Sequence, residues 1–368
     1  MTQPIRLGIV GCGDVMTAYM YSIQQLSARN LVEVSAACDI REERLQYMNN
    51  RYGVEYGTTD YHALVQSEDV DLVLVLTSMA EHGPVAMAAL EVGKHVLLEK
   101  PMAVTLEEAE KLLEVAKQSH GYLLCAPFVH LSPTYQMMWH RIHRGDIGPV
   151  KLARSRYGHA GPTWGQWYFR PGGGALFDLS PYNFSSLTGF LGPAKRVMAM
   201  TGTAVPERLV DGEVMQVEVE DNTQVLIDFG ENVFAVVTSG YTIQQYRSPA
   251  IELYGTKGAI QMLGDDWDPD GYELWLNDVG AWLTFKETDP GWLWTDGLRH
   301  LVECIQSDIP PVITPEHAFH VLEIMLAAKV SGREACAIPI HSSFPLPQFE
   351  DMPELEPAHL IHDRTHKR

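Results

Sequence analysis

Two glycines near the start of the chain have the spacing of a turn that holds a phosphate group. Gly11 and Gly13 follow an apolar, strand-like run and precede a segment of helical character. Glycine lets the main chain turn tightly and approach a pyrophosphate, and the first helical turn, with Asp14 and Val15, supplies amide groups and partial positive charge. The third small position of the motif holds Met16, so the helix must pack on the strand in another way. The segment predicts a dinucleotide-binding turn, with a purely structural turn as the alternative.

An acidic residue closes the second apolar run of the chain. Asp39 lies a little more than ~20 residues beyond the glycine turn, where dinucleotide-binding folds place a carboxylate on the ribose hydroxyls of the adenosine. An anion there repels the additional phosphate of NADP, whereas Arg41 would offset part of that repulsion. The order of strand, turn, helix, strand and acid therefore predicts NAD as the cofactor, with NADP less favoured.

A lysine stands directly after another apolar run, between Glu99 and Pro101. At this place Lys100 would lie in the crevice at the carboxyl ends of a parallel sheet, where such sheets bind ligands, and the proline would fix the turn. An ammonium group there hydrogen-bonds a substrate hydroxyl and stabilises the alkoxide that develops as hydride leaves. We therefore predict an active-site role for Lys100. The alternative is a surface lysine that pairs with Glu99.

The first third of the chain alternates short apolar runs with helical patterns. Strand candidates fall at residues 5–10, 32–38, 70–76, 95–98 and 122–126, and a helix is predicted from about Leu106 to Ser119, with Thr105 and Glu108 at capping-box spacing. This alternation is typical of a doubly wound parallel sheet covered by helices. We therefore predict that residues 1–126 form an α/β, NAD-binding Rossmann domain.

Beyond about Val150 the strands alternate polar and apolar residues, which is typical of an antiparallel sheet. We predict that residues 127–347 form an α+β domain with a large, mainly antiparallel, open-faced sheet that binds substrate and mediates oligomerisation. Late helices are expected at residues 296–307 and 315–331. Residues 348–368 hold prolines and charges without periodicity, and we predict a flexible tail or an arm on a partner subunit.

Charge and cysteine content argue against several classes of protein. The 27 lysine and arginine residues against 47 aspartate and glutamate residues give a formal charge of −20, which repels nucleic acids and anionic membranes. Residues 1–6 show no signal-peptide pattern, and no run of about 18 apolar residues occurs, so a cytoplasmic protein is predicted. Residues 266–271 mimic the start of a calcium loop, but Pro269 interrupts it and a hairpin turn is predicted. The scattered cysteines form no ligand pair, and no metal is expected.

Four segments together resemble those of the glucose-fructose oxidoreductase, inositol dehydrogenase and MocA (Gfo/Idh/MocA) family. Residues 93–101 read GKHVLLEKP and resemble its hallmark segment, and residues 77–82, TSMAEH, are similar to the loop after its fourth strand. Residues 172–178, GGGALFD, resemble the motif of its second domain, and residues 254–258, YGTKG, resemble a later strand-turn segment. The resemblance covers roughly residues 4–340 and is specific because independent motifs occur in the family's order.

This resemblance implies roles for further residues. Asp178 ends the glycine-rich motif, and where the family usually has histidine four residues later this chain has Tyr182. A phenol has a reference pKa of about 10, but a neighbouring ammonium favours the phenolate. We therefore assign Tyr182 as the proton acceptor, Lys100 as its electrostatic partner and Asp178 as the anchor of a substrate hydroxyl. Exchanged roles for Asp178 and Tyr182, or a core tyrosine at position 182, are the alternatives. Cofactor contacts beyond the glycine turn, Asp39 and Lys100 are expected at Thr77, Ser78, His82, Glu99 and His130.

An aromatic segment precedes the glycine motif, since residues 164–170 read WGQWYFR. Aromatic faces pack against the C–H faces of sugars, while polar neighbours bind the hydroxyls. We predict that Trp167, Arg170 and His159 bind substrate together with Asp178 and Tyr182. An equally weighted alternative is that the segment forms the core of the second domain.

These features predict an NAD(P)-dependent oxidoreductase that transfers a hydride between nicotinamide and a secondary hydroxyl or keto carbon of a sugar, glycoside, cyclitol or related polyol. One alternative is a glycoside hydrolase that uses NAD for transient oxidation of a ring carbon. Another is a non-catalytic, NAD-sensing regulatory protein, which has no need of the proton-transfer groups at Lys100, Asp178 and Tyr182. The open-faced sheet and the resemblance imply a homo-oligomer, either a dimer or a tetramer.

Overall fold

Apolar runs without polar alternation form a parallel sheet in the first part of the chain. The computed structural model describes residues 3–350 and 357–361. Strands with no exposed face are expected where helices cover both sides of a parallel sheet, and all four residues of Leu72–Val75 are buried. The strands are β1 (Ile5–Val10), β2 (Val32–Cys38), β3 (Tyr56–Thr58), β4 (Leu72–Val75), β5 (His95–Leu98) and β6 (Leu123–Cys125). The helices between them are α1 (Asp14–Ala28), α2 (Glu42–Tyr52), α3 (Tyr61–Val65), α4 (His82–Glu91) and α5 (Leu106–Gln118).

This sheet has the strand order β3-β2-β1-β4-β5-β6, with every neighbouring pair parallel. The order changes direction between β1 and β4, so the chain winds outwards on both sides of β1, as in a Rossmann fold. The predicted cap of α5 is confirmed, because Thr105 accepts a hydrogen bond from the Glu108 amide at 3.2 Å. The sheet confirms the predicted doubly wound α/β fold.

Alternating strands form a second sheet after residue 150. The strands are β7 (Val150–Gly158), β8 (Arg196–Gly202), β9 (Glu207–Val210), β10 (Glu213–Gln216), β11 (Asn222–Gly230), β12 (Val233–Gly240), β13 (Ile251–Gly255), β14 (Gly258–Asp265), β15 (Asp268–Leu276) and β16 (Ala281–Lys286). The helices are α6 (Pro133–His143), α7 (Ala175–Asp178) and α8 (Ser180–Leu191). They are followed by α9 (Gly297–Ser307), α10 (Pro315–Glu334), β17 (Ile338–Pro339) and β18 (His359–Ile361).

The second sheet has the order β17-β8-β11-β12-β7-β13-β14-β15-β16-β18 and is antiparallel apart from the β12–β7 pair. Strands β9 and β10 form a separate hairpin. The predicted large, mainly antiparallel sheet is thereby confirmed. Strands β14 and β15 pair antiparallel up to Asp265 and Asp268, which makes the calcium-like segment the predicted hairpin turn.

The two faces of this sheet differ in what covers them. Helix α8 packs against β7 and β12, on the face to which Ala153 and Ala235 contribute buried side chains. The alternate positions carry five large apolar side chains that are 43–78% exposed: Leu152, Met198, Met200, Leu226 and Phe234. Leu152 pairs with Phe234 and Leu226 with Met198, so they lie on one open face. Scattered apolar side chains are common on protein surfaces, whereas a contiguous apolar sheet face is typical of an interaction surface.

Contacts among the described residues divide the chain into two compact units. The first is Met1–Phe128 with Leu293–Leu322, and the second is Val129–Trp292 with Glu323–Arg368. The sequence division placed residues 293–322 in the second domain, whereas here they belong to the first unit. The reason is packing on α1, since Ser22 Oγ lies 2.7 Å from Thr295 Oγ1 and the Tyr19 ring is edge-on to Trp294. The exact domain boundaries stay a prediction.

Part of the predicted tail, residues 351–356 and 362–368, lies outside the described residues. Within the described part, β18 pairs with β16, and the Phe349 ring contacts Tyr135 and Trp139. The predicted tail therefore includes a β-strand and an aromatic contact within the described residues, and its role as a flexible tail or an arm on a partner subunit stays a prediction. Among the described residues, no helix combines the length and apolar character needed to cross a bilayer.

Replacing Gly11 by alanine is expected to destabilise the fold. Gly11 has φ of +93°, and a Cβ atom there would lie 2.6 Å from the carbonyl of Leu76. Backbone strain of this kind amounts to about 1–3 kcal/mol, so Gly11→Ala should lower the free energy of unfolding by at least that amount in urea denaturation followed by circular dichroism. The matched control is Gly13→Ala, because Gly13 has φ of −79° and no atom lies within 4 Å of its Cβ position. Equal stability of the two variants would contradict the expectation.

Candidate active site

The glycine turn ends β1 and opens α1 in the first unit. The Gly11 amide donates to the Cys38 carbonyl at 2.8 Å, which ties the turn to the end of β2. Gly13 is the N-cap of α1, and no side chain caps the first turn. The amides of that turn thus face an open space that no Cβ atom fills, which fits a pyrophosphate. Asp14 and Val15 are exposed there, and Met16, at the third motif position, is fully buried under the helix.

Asp39 lies beside this turn, as predicted, and is only 8% exposed. Its Oδ2 accepts a hydrogen bond from the Cys12 amide and its Oδ1 one from the Arg41 amide, both at 2.9 Å. The Arg41 Nε atom is 3.7 Å from Oδ1. Each carboxylate oxygen has a further lone pair, so the group can accept ribose hydroxyls while it holds the glycine turn.

The loop after β4 is fastened to the turn after β5 by a buried histidine. His82 is 1% exposed, with Nδ1 at 2.7 Å from the Pro101 carbonyl and Nε2 at 3.1 Å from the Thr77 carbonyl. Burial lowers the pKa of His82, and the two carbonyls oppose the shift only in part. His82 therefore bridges the two loops, and the predicted cofactor contact at His82 stays a prediction. Thr77 and Ser78 lie just after the end of β4, and Thr77 Oγ1 donates a hydrogen bond to the Ser78 carbonyl.

Glu99 and Lys100 follow β5 as the sequence predicted. Glu99 is 8% exposed, and its Oε1 accepts a hydrogen bond from the Tyr19 hydroxyl at 2.7 Å. Its Oε2 accepts the backbone amide of Lys100 at 3.0 Å, and the Lys100–Pro101 peptide bond is cis. Both oxygens of Glu99 thus bind protein groups and help to fix the main chain that carries Lys100, and the predicted cofactor contact at Glu99 stays a prediction.

Asp178 and Tyr182 lie in the second unit, at the end of α7 and in the first turn of α8. Asp178 Oδ2 accepts a hydrogen bond from the Tyr241 hydroxyl at 2.9 Å. The Tyr182 ring is edge-on to Tyr157, with centroids 5.6 Å apart, and the His159 ring lies 5.2 Å from that of Tyr241. We call Tyr157, His159, Asp178, Tyr182 and Tyr241 the Asp178 cluster.

Burial determines the protonation states within this cluster. It raises the pKa of Tyr157 and of Tyr241 far above that of a free phenol, and the Asp178 carboxylate raises both further. Burial also lowers the pKa of His159. His159 Nδ1 accepts the Gly161 amide at 3.1 Å, which leaves the ring proton on Nε2. At neutral pH two phenols and a neutral imidazole are therefore hydrogen-bond donors beside one carboxylate.

Sequence reasoning missed Tyr157 and Tyr241. A signal existed for Tyr157, because it lies two residues before His159 and alternate residues of a strand share a face. Tyr241 follows β12 directly, and no sequence pattern distinguished it from other buried tyrosines.

The glycine-rich motif brings the aromatic segment close to α7. Gly174 donates its amide to the Tyr168 carbonyl at 2.8 Å, and a Cβ atom on Gly173 would lie 2.4 Å from the Trp167 carbonyl. Only glycine permits this approach, so the motif positions the helix that ends in Asp178.

The members of the aromatic segment divide between buried and exposed positions, and substrate binding by the exposed members stays a prediction. Phe169 is fully buried and packs with Tyr241 in the core. Trp167 is 45% exposed and stacks on Tyr168 at 3.7 Å, and Arg170 is exposed with Glu218 3.6 Å away. The preferred members Trp167 and Arg170 are thus accessible, while His159 is half-buried in the Asp178 cluster.

The structure argues against the predicted nicotinamide contact of His130. Its side chain has no exposed surface, Nε2 lies 3.0 Å from the Ser185 carbonyl, and the ring packs edge-on to Tyr135. Burial lowers the pKa of His130 to about 4. The residue is a core histidine of the second unit.

Comparison with known proteins identifies the family. Residues 5–126 match the model of an oxidoreductase family with an NAD-binding Rossmann fold, and residues 135–261 match that of the Gfo/Idh/MocA C-terminal domain. The chain therefore belongs to the Gfo/Idh/MocA family and is an oxidoreductase with an NAD-binding domain. This confirms the family and the enzyme class predicted from the sequence.

Three similar proteins are named as dehydrogenases or as a reductase. The chain is 23% identical to myo-inositol 2-dehydrogenase of Thermotoga maritima over 342 residues, 90% of this chain and 97% of that one. It is 33% identical to a dTDP-3,4-didehydro-2,6-dideoxy-alpha-D-glucose 3-reductase of Actinomadura kijaniata over 193 residues, 52% of this chain and 57% of that one. Levoglucosan dehydrogenase in complex with NADH and levoglucosan has the same fold, with a TM-score of 0.83 and 20% identity over 92% of this chain and 100% of that one.

The hydrogen bond between Tyr241 and Asp178 is expected to stabilise the second unit. Tyr241→Phe removes a buried donor to a carboxylate and should lower the free energy of unfolding by about 1–2 kcal/mol in urea denaturation. Tyr254→Phe is the control, since that hydroxyl also binds a carboxylate, on Glu252, but is only partly buried. A loss in the control as large as that in Tyr241→Phe would contradict the assigned importance of this bond.

Proposed function

We propose that this oxidoreductase uses NAD to transfer a hydride to or from a secondary hydroxyl or keto carbon of a sugar, glycoside, cyclitol or related polyol. The observation that carries the proposal is the Asp178 cluster, in which a carboxylate that already accepts from Tyr241 lies beside the neutral donors Tyr157 and His159. Such a set matches a neutral, hydroxyl-rich molecule, because each hydroxyl both donates and accepts. The nearby cation Arg208 donates a hydrogen bond to the fully buried Asp221. Because that carboxylate balances its charge, Arg208 does not provide a binding site for an acidic substrate.

Three residues carry the proposed chemistry. NAD, when bound, supplies the hydride acceptor. The Lys100 ammonium stabilises the charge that develops on the substrate oxygen, and the Tyr182 oxygen takes the hydroxyl proton. Asp178 anchors a neighbouring substrate hydroxyl. The hydrogen bond from Tyr241 supports this division of roles, because it holds the Asp178 carboxylate in place while lone pairs remain to accept a substrate hydroxyl.

The preference for NAD over NADP rests on Asp39. The carboxylate is held at the glycine turn by two amides, so an additional phosphate on the adenosine ribose would meet a fixed anion. The Arg41 side chain pairs with the same carboxylate, so it is only partly available to bind that phosphate.

The proposed activity is tested by substituting Lys100. Purified protein is assayed for reduced nicotinamide with NAD and with NADP across sugars, cyclitols and glycosides, and free sugar is measured in parallel. In Lys100→Ala, turnover should fall about 10²–10³-fold, because one group that stabilises the developing oxyanion is lost, while NAD affinity stays nearly unchanged. The control is Lys111→Ala, which removes an exposed lysine paired with Glu107.

Each of the other outcomes would indicate a different function for this protein. Full activity in Lys100→Ala would reject the assigned role. Free sugar from a glycoside without net reduced nicotinamide would indicate the hydrolase. NAD binding without turnover of any compound would indicate a sensor.

We also propose that the chain forms a homo-oligomer through the open face of the second sheet. The exposed apolar pairs on β7, β8, β11 and β12 support this proposal. Wild-type protein should sediment as a dimer or tetramer, and Leu226→Asp should shift it towards monomer. Leu209→Asp on the β9–β10 hairpin is the control, because Leu209 is similarly exposed but lies outside that sheet. A monomeric wild type, or an equal shift in both variants, would refute the proposal.

A further inference from the structure

A second carboxyl group is enclosed beside the Asp178 cluster and has no part in the proposed reaction. Asp266 is 1% exposed and lies in the turn between β14 and β15. Its Oδ2 accepts hydrogen bonds from Asn183 Nδ2 at 2.8 Å and from Ser186 Oγ at 3.2 Å. Both partners belong to α8 and are three residues apart, so they share one face of that helix. Asp266 thus links that face of α8 to the turn between β14 and β15.

Two routes connect this carboxyl group with Tyr182. Asn183, which binds Asp266, is the next residue after Tyr182 in the first turn of α8. Trp267, the next residue after Asp266, has its ring 6.1 Å from that of Tyr157, and Tyr157 is in turn edge-on to Tyr182 at 5.6 Å. A change in the bonds of Asp266 therefore reaches Tyr182 both through the helix backbone and through the aromatic contacts.

We infer that Asp266 is a positioning residue for Tyr182, whose orientation towards the substrate it sets through Asn183 and through the Trp267–Tyr157 contact. The inference rests on the proposed role of Tyr182 as the proton acceptor. Asp266 is thus a further residue for the proposed reaction, and none of the four family-like segments of this chain contains it.

The bonds of Asp266 depend on its protonation. Asp266 Oδ1 and Asn183 Oδ1 have no hydrogen-bond partner within the described part of the chain. The ionised carboxylate accepts from the Asn183 amide nitrogen, as observed. A protonated carboxyl group is itself a donor, so ionisation removes that donor and places a negative charge on the group that accepts the Asn183 and Ser186 hydrogen bonds. Gain or loss of one proton therefore changes the hydrogen bonding at the residue next to Tyr182.

The surroundings place this change near neutral pH. Burial raises the pKa of Asp266 to about 7, with the Asn183 hydrogen bond opposing it, Asp265 adding to it, and Ser186 and Arg156 lowering it. The Asp265 carboxylate is itself bonded to Arg156 and to the Tyr246 hydroxyl. Tyr157, on β7, is a titratable group of the Asp178 cluster, and Asp266 contributes to raising its pKa after burial and Asp178.

The test compares Asp266→Asn, which keeps the shape but cannot ionise, with wild type. The protein is labelled with [¹³Cζ]tyrosine, and the Tyr182 resonance is assigned by its absence in Tyr182→Phe. In wild type this resonance should shift with a midpoint near pH 7, and in Asp266→Asn that shift should vanish. The kcat profile of wild type should lose the same ionisation in Asp266→Asn, with kcat reduced severalfold and KM changed less than about twofold.

Two controls separate positioning from stability. Asp268→Asn removes an exposed carboxyl group of the same hairpin and should keep the wild-type titration of Tyr182. The raised pKa of Asp266 means that its stabilising contribution is full below its ordinary value of ~4 and is lost as pH rises through about 7. Asp266→Asn should therefore be at least as stable as wild type at pH 8.5, whereas a merely structural role would make it less stable there.

The outcomes are distinct from those of the proposed function. A Tyr182 resonance that titrates identically in Asp266→Asn, or a kcat profile that keeps its midpoint, overturns the inference. If Asp266→Asn fails to fold, Asn183→Ala tests the same route and should likewise abolish the titration. If wild type oxidises no polyol, the proposed function falls, and the resonance of Tyr182 still decides whether Asp266 controls it.

Discussion

A carboxylate removed from water must be met by hydrogen-bond donors, and this constraint arranges the strand ends in both units. Asp39 accepts two backbone amides after β2, and Glu99 accepts an amide and a tyrosine hydroxyl after β5. Each of these bonds fixes a loop that the proposed chemistry requires, namely the glycine turn and the main chain of Lys100. In the second unit Asp178 satisfies the same requirement through Tyr241. Acids at these positions thus fix the loops and the helix end that the proposed chemistry uses.

The same burial sets the polarity of the candidate substrate site. Phenols next to carboxylates hold their protons, because ionisation would place a second negative charge in a poorly solvated region. Tyr157 and Tyr241 are therefore donors, and His159 is neutral with its proton on Nε2. Asp266 is the exception. Burial raises its pKa to about 7 against the opposing hydrogen bonds from two donors on α8, so its ionised and protonated forms are both populated near neutral pH. The site combines fixed donors with one group that can respond to pH.

Local sequence signals succeeded where a residue's role depends on its chain neighbours. Gly11, Gly13 and Asp39 follow strands that the apolar runs reveal, and the structure joins them as expected. The signals failed for His130, because the sequence does not distinguish a histidine in a binding loop from a core histidine that is bonded to a main-chain carbonyl. They also missed Tyr157 and Tyr241, whose contacts with Tyr182 and Asp178 link residues far apart in the chain.

The sequence by itself determined the two kinds of sheet, the dinucleotide turn and the family, because period, glycine spacing and consecutive motifs are local properties of a chain. Only the tertiary structure decided that residues 293–322 pack with the first unit, and that Asp266 lies beneath the helix that carries Tyr182. An amphipathic helix does not specify which core will cover it, and an aspartate in a hairpin turn looks solvated until another element encloses it. Burial and long-range contacts, which change a group's protonation and partners, arise only when the chain is folded.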